Sequence, residues 1–486
     1  MKHEGSDHPA SDADAAHLYH LDRRITEQTV LFASVLKWFV LASIVGIIAG
    51  LATTGFLKLL AASTGLTDRY WFHFLLLPAA FFLSALSIKT LAPEAAGHGT
   101  EKVIEAIHRR AGRIQPLVVP IKLVATVVTL ATGGSAGKEG PCAQIGGGLA
   151  SIMASALRFH DTDRKKLVIC GISAGFAAVF GTPLAGSIFG VEVLFVGGVL
   201  YDVLLPSFIA GIVSFQVASH FGVTYFNAPL EFVPKFSEVF LLKVAAAGVL
   251  FGLTAFVFIE MLGAFELLAR RIKVWAPLKG ILGGFALVGL TFAFGPRYLG
   301  LGLPTIVYTL NGHAPNLPWY AFILKEIFTA VTLSFGGSGG IITPIFWIGT
   351  AAGTAYSHFL GLNAATCAAI GLAAMLSGCA NTPISASMMA VELFGTAIGP
   401  YAAVSCIIAF LITGHRSVYP SQILSTAKSG SLHVEMGQEI VQSQPELVQP
   451  LTLPRWLGAL RSAAASSSCR EAEPSVQPGS PAERSK

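Results

Sequence analysis

Residues 133–146 read GGSAGKEGPCAQIG, and residues 336–349 read GGSGGIITPIFWIG. Placed in register, the two stretches share seven positions in the same order: their first two glycines, Ser135 with Ser338, Gly137 with Gly340, Pro141 with Pro344, Ile145 with Ile348, and Gly146 with Gly349. In both, a glycine-rich turn leads to a proline and then to an apolar run. Proline suits the first turn of a helix, where its missing N–H group costs nothing. The pattern predicts two equivalent helices that begin inside the fold.

A second repeated block lies further along each half, at residues 171–192 and 371–392. Its shared positions include Gly171 and Gly371, Thr182 and Thr382, Pro183 and Pro383, Ser187 and Ser387, Val191 and Val391, and Glu192 and Glu392. Two blocks repeated in the same order indicate two homologous halves, approximately residues 31–230 and 235–428. Broken helices at corresponding positions of two halves point to a binding site near the middle of a membrane.

The composition indicates that lipid is the solvent for much of the surface. Charged residues make up 12% of the 486 residues and apolar residues 53%, whereas soluble domains carry about 25% charged residues. We expect an all-α integral membrane protein with many tilted and broken transmembrane helices, multi-pass in the cell membrane and in the inner membrane if the source is bacterial. No basic stripe of the nucleic-acid-binding kind is present.

The polar residues collect at the two ends of the chain. We predict a polar N-terminal segment over residues 1–30, a transmembrane domain over 31–428, and a disordered polar tail over 429–486, with no large second domain after residue 430. The six cysteines form no CxxC motif, so we expect buried apolar side chains and neither a metal nor a cofactor. Lys122 and Lys325 lie in apolar stretches, which leaves two interpretations open: buried pairing, or snorkelling to an interface.

The segment from Lys138 to Pro141 predicts an anion site. It aims a helix N-terminus, with free N–H groups and the positive end of the helix dipole, into the fold. The equivalent stretch in the second half has no charge, so the backbone N–H groups of Ile341 and Ile342 would hold an anion by themselves. Such a site suits transport, because full charge pairing would bind the anion too tightly for quick release.

Glu139 has a physical role in such a site. A carboxylate at a helix N-terminus is itself an anion, so it competes with a mobile anion, and its protonation would open the path. Ionisable groups inside a membrane are functional by default. The alternative is an ordinary first-turn glutamate in a solvent-exposed loop.

Four segments together resemble the CLC chloride channel and transporter family, over about residues 31–428. Residues 137–141 (GKEGP) look like the family's GREGP signature with lysine for arginine, and residues 340–344 (GIITP) look like GxFxP with isoleucine for phenylalanine. Residues 97–101 (GHGTE) resemble GSGIP but depart at the serine and at the proline, and Val418-Tyr419-Pro420 fits the tyrosine that closes the inner side of the anion site. The combination is highly specific.

The resemblance implies selective transport of chloride or a similar small anion, with protons as a second substrate in some members and voltage gating in others. It further implies a homodimer with one anion path per subunit, Glu139 as the outer gate, and anion contacts from the N–H groups of Ile341 and Ile342, the Tyr419 hydroxyl and His98. The positions that match the supporting pore segments are Gly97, Gly99, Gly137, Lys138, Gly140, Pro141, Gly340 and Pro344.

Two positions depart from the family's pattern, and two others refine what the resemblance implies. His98 replaces serine; its imidazole would donate to an anion, or it turns aside and a backbone N–H makes the contact. Val193 stands where proton-coupled members often carry an inner glutamate just after the position of Glu192, which favours passive conduction slightly over a proton-coupled antiporter. Glu192 itself is predicted to be structural, with Glu392 as its mate. Pro141 favours chloride over fluoride, since fluoride-selective relatives usually depart from that proline.

An intramembrane enzyme is a remote alternative. It would need a nucleophile and base or a metal set. HExxH does not occur, and GxSxG occurs only at residues 133–137, 171–175 and 336–340, inside the repeated glycine-rich blocks. We therefore expect no enzymatic activity.

Overall fold

The computed structural model describes residues 12–225, 229–230, 232–234, 237–313 and 317–448, with side chains from residue 26 onward. These residues form sixteen α-helices: α1 Asp12–Thr67, α2 Leu77–Leu91, α3 Thr100–Arg109, α4 Val118–Ala131, α5 Glu139–Ala156, α6 Asp161–Phe180, α7 Pro183–Glu192, α8 Tyr201–His220, α9 Glu238–Arg271, α10 Ala276–Phe294, α11 Leu303–Leu310, α12 Ala321–Ser334, α13 Ile342–Leu360, α14 Ala364–Ala380, α15 Pro383–Phe394 and α16 Gly399–Thr413. Two pairs of two-residue strands accompany them: β1 Phe195–Val196 lies parallel to β2 Ile423–Leu424, and β3 Leu432–His433 lies antiparallel to β4 Glu446–Leu447.

Six helical segments of the described chain are long and apolar enough to cross a membrane: Thr26–Thr67, His73–Leu91, Tyr201–His220, Glu238–Arg271, Ala276–Phe294 and Thr396–Thr413. Their outward faces carry large apolar side chains such as Phe39 and Phe285, which are 54% and 62% exposed. The chain is a multi-pass membrane protein. The shorter helices between these spans are the broken elements that the glycine and proline pattern predicts.

The helices form two inverted repeats, α1–α8 and α9–α16. The N-terminal turns of α5 and α13 meet in the middle of the molecule, where the Gly137 N–H donates to the Gly340 carbonyl at 2.7 Å and the Gly340 N–H donates to the Gly137 carbonyl at 2.6 Å. This bridge between equivalent residues is antiparallel. The repeated sequence blocks therefore bring two helix N-termini together from opposite directions.

Two equivalent lysines anchor equivalent loops. The Lys122 ammonium donates to the carbonyl oxygens of Ala95 (3.2 Å) and Gly97 (2.6 Å). In the second half, the Lys325 ammonium donates to the carbonyl oxygens of Tyr298 (3.0 Å) and Gly300 (2.9 Å). Both lysines are 0% exposed, so of the two interpretations the sequence left open, the structure shows buried pairing.

The two halves also cap each other's helices. Glu192 at the end of α7 accepts the N–H groups of Ile384 (3.0 Å) and Ser385 (2.8 Å) at the start of α15. Glu392 of α15 in turn accepts the N–H groups of Leu184 and Ala185 at the start of α7, at 3.0 and 2.7 Å. A carboxylate at a helix N-terminus satisfies free donors and complements the helix dipole. Both glutamates therefore have structural contacts, as the sequence predicted for Glu192.

Small residues allow the central helices to pack closely. A Cβ atom on Gly171 of α6 would lie 2.5 Å from the carbonyl oxygen of Gly146 on α5, so the backbones meet where no larger residue fits. Five cysteines of the described chain are free and buried, namely Cys142, Cys170, Cys367, Cys379 and Cys406. Cys469 lies outside the described residues.

The C-terminal boundary differs from the prediction. Residues 429–448 do not form a disordered tail: the N–H groups of Gly437 and Ile440 donate to the carbonyls of Leu424 and Gln422, each at 2.8 Å. Ile440 is also buried in a small apolar cluster with β1 and β2. A few apolar anchors therefore order this polar segment, and residues 449–486 lie outside the described residues. At the other end, α1 begins at Asp12, inside the predicted polar segment 1–30.

Candidate anion site

Glu139 reaches from its own half of the molecule to the other. It is the first residue of α5 and is 0% exposed. Its Oε2 atom accepts the backbone N–H of Thr343 at 3.2 Å, and its Oε1 atom accepts the Thr343 hydroxyl. The carboxyl group thus lies at the N-terminus of α13, where free N–H groups and the helix dipole favour a negative charge. A glutamate in a solvent loop would not have these contacts.

The backbone around the start of α13 offers further donors. Ile341 is the N-cap residue and Ile342 the first helical residue. Both are buried, and neither N–H donates a hydrogen bond within the described part of the chain. Pro344 follows within the first turn, where a missing N–H leaves no donor unused. The turn therefore presents two unpaired N–H groups beside the Glu139 carboxyl group.

A glycine-rich loop carries His98 to the same region. Gly99 has a φ of +83°, and a Cβ atom there would lie 2.5 Å from the carbonyl oxygen of Gly140, so both its conformation and its packing require glycine. Gly97, with a φ of +76°, is the residue whose carbonyl Lys122 holds. These constraints fix the loop against the start of α5.

His98 and Tyr419 lie together beside this loop. Their ring centroids are 6.2 Å apart, and both side chains are buried. The Nδ1 atom of His98 has no hydrogen-bond partner among the described residues, and the hydroxyl groups of Tyr419 and Thr100 lie beside each other without a further partner there. Buried polar groups normally have hydrogen-bond partners in the protein, so buried groups that lack one indicate a site for a polar or charged ligand.

The remaining predicted positions surround Glu139. Lys138 is the N-cap of α5 and is partly exposed, while Gly140 and Pro141 are buried in its first turn. Gly137 and Gly340 form the bridge between the halves. The structure thus brings the backbones of His98 and Gly140 together, joins the starts of α5 and α13 through Gly137 and Gly340, and sets the Glu139 carboxyl group against Thr343, the residue after Ile342.

Val193 lies apart from these groups at the end of α7. It is buried, and its carbonyl accepts the side-chain amide of Gln422 at 2.8 Å. Its isopropyl group has no atom that binds a proton. Position 193 therefore offers packing and a backbone contact.

Two residues near the site were not singled out from the sequence as functional. Thr343 is part of the motif at residues 340–344. Its hydroxyl lies in the first turn of α13, where it is the donor that a carboxylate at the start of α5 meets. Glu101 appeared only as a departure from proline, yet its Oε1 atom accepts the N–H of Ser421 at 3.1 Å, two residues after Tyr419.

A cavity of about 870 Å³ leads to this region from one face of the molecule. We call it the vestibule. Its lining includes His98, Glu101 and residues flanking Tyr419, and its charged side chains are Lys89, Lys102, Arg270, Lys279, Glu101 and Glu266. Four cationic groups against two acidic ones give its wall a positive potential that attracts anions.

Comparisons with known proteins agree with this geometry. A family model described as "Voltage gated chloride channel" matches residues 80–414. A protein of Pseudomonas syringae pv. tomato named "Chloride/fluoride channel protein" is 37% identical over 83% of this chain and 90% of its own length. The "H(+)/Cl(-) exchange transporter ClcA" of Salmonella paratyphi B is 28% identical over 73% of this chain and 80% of its own. The solved structure of a "CLC-type fluoride/proton antiporter" superposes with a TM-score of 0.76 at 27% identity, covering 80% of this chain and 98% of that one.

Proposed function

Because the chain belongs to the voltage-gated chloride channel (CLC) family, and is thus an anion transporter of the membrane, we propose that it exchanges a halide ion for protons through a pathway that Glu139 closes. Chloride is the substrate we assign first. The observation that carries the proposal is the carboxyl group of Glu139 on the N-terminus of α13.

That position makes the carboxylate and a mobile anion competitors for one site. The same helix N-terminus binds either negative charge, and both cannot occupy it. When a halide displaces the side chain, the carboxylate loses its two contacts with Thr343 and becomes free to take up a proton. Its return to α13 requires the proton to leave. One side chain therefore links anion movement to proton movement.

The anion contacts follow from the donors left unpaired beside it. We assign them to the N–H groups of Ile341 and Ile342, the hydroxyl of Tyr419 and the ring of His98. The ring is preferred over a backbone N–H of that residue because its Nδ1 atom is buried without a partner and the ring lies against Tyr419. Neutral donors hold a halide without the full charge pairing that would slow its release.

Exchange is favoured over the passive conduction that Val193 suggested. One relative is named for proton–chloride exchange, and the solved structure with a TM-score of 0.76 is named for fluoride–proton antiport, although the Pseudomonas relative is named as a channel. With valine at position 193, the chain lacks the one carboxyl group that a glutamate there would provide. It does not remove other buried carboxyl groups from the proton's route.

Fluoride is the second candidate for the transported halide. The relative with 37% identity and the solved antiporter both carry fluoride in their names, while the retained Pro141 favours chloride. A competition assay between the two halides separates them, since the better substrate will inhibit transport of the other at the lower concentration.

We further propose a homodimer, as in the family that the chain belongs to, with the vestibule on the cytoplasmic side. The basic ends of α3 and α9, at Arg109 and Arg270, lie on the vestibule side: Arg270 lines the cavity, and Arg109 pairs with Glu439, two residues from the vestibule-lining Val441. Basic residues collect on the cytoplasmic face of membrane proteins. Cross-linking in the membrane tests the dimer.

The purified protein in liposomes loaded with chloride tests the function. With potassium permeability supplied by an ionophore, chloride efflux should drive proton uptake into the liposomes against a proton gradient. Chloride efflux without any proton uptake would establish a channel and contradict the proposed exchange. No halide flux from a well-folded protein would contradict anion transport itself.

A further inference from the structure

Proton exchange needs a proton-binding group between the vestibule and Glu139. The Glu139 carboxyl group is fully buried at the start of α13, so a proton that arrives from the vestibule must be passed to it. Val193 cannot do this, because it is apolar. The described residues offer three other buried glutamates in this part of the molecule: Glu101, Glu192 and Glu326.

Two of the three are unsuited to the task. Both oxygens of Glu192 accept N–H groups at the start of α15, and Glu392 repeats that arrangement in the other half, which marks a structural cap. Glu326 is fully buried on α12, has no hydrogen-bond partner on either oxygen within the described residues, and does not line the vestibule. It therefore has no direct access to vestibule water.

Glu101 has both the access and the free atom. It lies in the first turn of α3, is 8% exposed and lines the vestibule. Its Oε1 atom accepts both the N–H and the hydroxyl of Ser421. Its Oε2 atom is buried without a partner among the described residues. The carboxyl group is thus held at the inner end of the vestibule with one oxygen available to bind and release a proton.

Within the part of the chain that the structure describes, Glu101 forms no ion pair. On its own helix, the Lys102 ammonium donates to Glu105 at 2.7 Å, and Arg109 pairs with Glu439. His98 lies in the loop before α3. Tyr419 lies in the segment packed against α3, and its hydroxyl is within electrostatic reach of both Glu101 and Glu139. Without a fixed positive partner, the carboxyl group is free to exist in either protonation state.

We propose that Glu101 is the proton-transfer group at the vestibule end of the pathway. Hydronium in the vestibule gives a proton to the carboxyl group and becomes water, and the O–H formed at the buried Oε2 atom donates that proton towards the site that Tyr419 and Glu139 share. Glu101 returns to the carboxylate as the Glu139 carboxylate, displaced from Thr343, becomes the carboxylic acid. The net result is the transfer of one proton from hydronium in the vestibule to the Glu139 carboxylate, while Glu101 begins and ends as a carboxylate. The inference rests on the proposed exchange function.

The test compares Glu101→Gln with Glu105→Gln in the liposome assay. Glutamine at 101 keeps the size of the side chain and an acceptor for Ser421, but cannot exchange a proton. We expect halide efflux within about twofold of the unmodified protein, and proton uptake driven by halide reduced at least tenfold. Glu105→Gln, four residues along the same helix, keeps an amide oxygen as the acceptor for Lys102 and should keep both fluxes. Glu101→Asp, which restores a carboxyl group, should restore part of the proton uptake.

The outcomes separate the two proposals. If the unmodified protein and Glu101→Gln take up protons with the same halide-to-proton ratio, Glu101 is not the transfer group, while exchange stands. If the unmodified protein moves halide without protons, the exchange function fails, and the role of Glu101 fails with it. If Glu101→Gln moves neither ion, Glu101→Asp decides: halide flux without proton uptake in that variant would also overturn the inference.

Discussion

Replacing Thr343 by valine should weaken the binding of the Glu139 carboxylate at the N-terminus of α13, the position in which it closes the proposed pathway. Valine has nearly the shape of threonine but lacks the hydroxyl that donates to the Oε1 atom. The backbone N–H of residue 343, 3.2 Å from the Oε2 atom, would remain. The substitution therefore removes one of two contacts and leaves the helix N-terminus in place.

The expected size follows from the type of bond that is lost. A hydrogen bond to a charged group contributes about 1.5–3 kcal/mol. We take the lower end, about 1.5 kcal/mol, because the N–H contact persists. Since about 1.4 kcal/mol is a factor of ten in an equilibrium, the ratio of displaced to closed Glu139 should rise about tenfold. Halide efflux at alkaline pH, where the carboxylate blocks the site, should rise by the same factor.

A matched control lies two turns further along α13. Thr350 is buried, and its hydroxyl has no hydrogen-bond partner within the described residues, so Thr350→Val makes the same chemical change away from Glu139. Efflux from liposomes is measured for both variants over a pH series. Equal efflux from Thr343→Val and Thr350→Val at every pH would refute the assignment of Thr343 as the donor that holds the gate closed.

Three further substitutions test the supports of the site. Lys122→Met should lower the free energy of unfolding by about 1–3 kcal/mol, since it leaves two buried carbonyls without a donor; a thermal melt in detergent that matches the unmodified protein would contradict this. Glu192→Gln should destabilise by about 1–2 kcal/mol through the loss of a charged cap while leaving the halide-to-proton ratio unchanged; a changed ratio would show that this cap also carries protons. His98→Ala should weaken halide binding about two- to tenfold, the worth of one neutral hydrogen bond; calorimetry that finds chloride and fluoride affinities unaltered would place the ring outside the anion site.

The central architecture was readable from the sequence because its signals are local. Glycine and proline mark where α5 and α13 begin, and repetition of those marks identified the two halves. Two further shared prolines, Pro183 and Pro383, stand at the starts of α7 and α15 in the same way. Long apolar runs gave the membrane spans, since lipid imposes length and composition directly.

Short helices and contacts between the halves were not readable in this way. Helix α3 (Thr100–Arg109) carries too many charges to stand out among apolar segments, and α11 (Leu303–Leu310) spans only eight residues. The pairing of Glu139 with Thr343, 204 positions along the chain, depends on how the two halves face each other. A sequence pattern states where a helix begins, but the neighbour of its first side chain is set by tertiary packing.

Glu139→Gln tests the central claim most directly. Glutamine keeps the side-chain length but neither ionises nor carries a proton, so it removes both the competing charge and the proton-binding group. Liposome efflux should then persist, lose its dependence on pH, and no longer drive proton uptake. Proton uptake at the unmodified halide-to-proton ratio, with the pH dependence intact, would contradict the assignment of Glu139 as the gate.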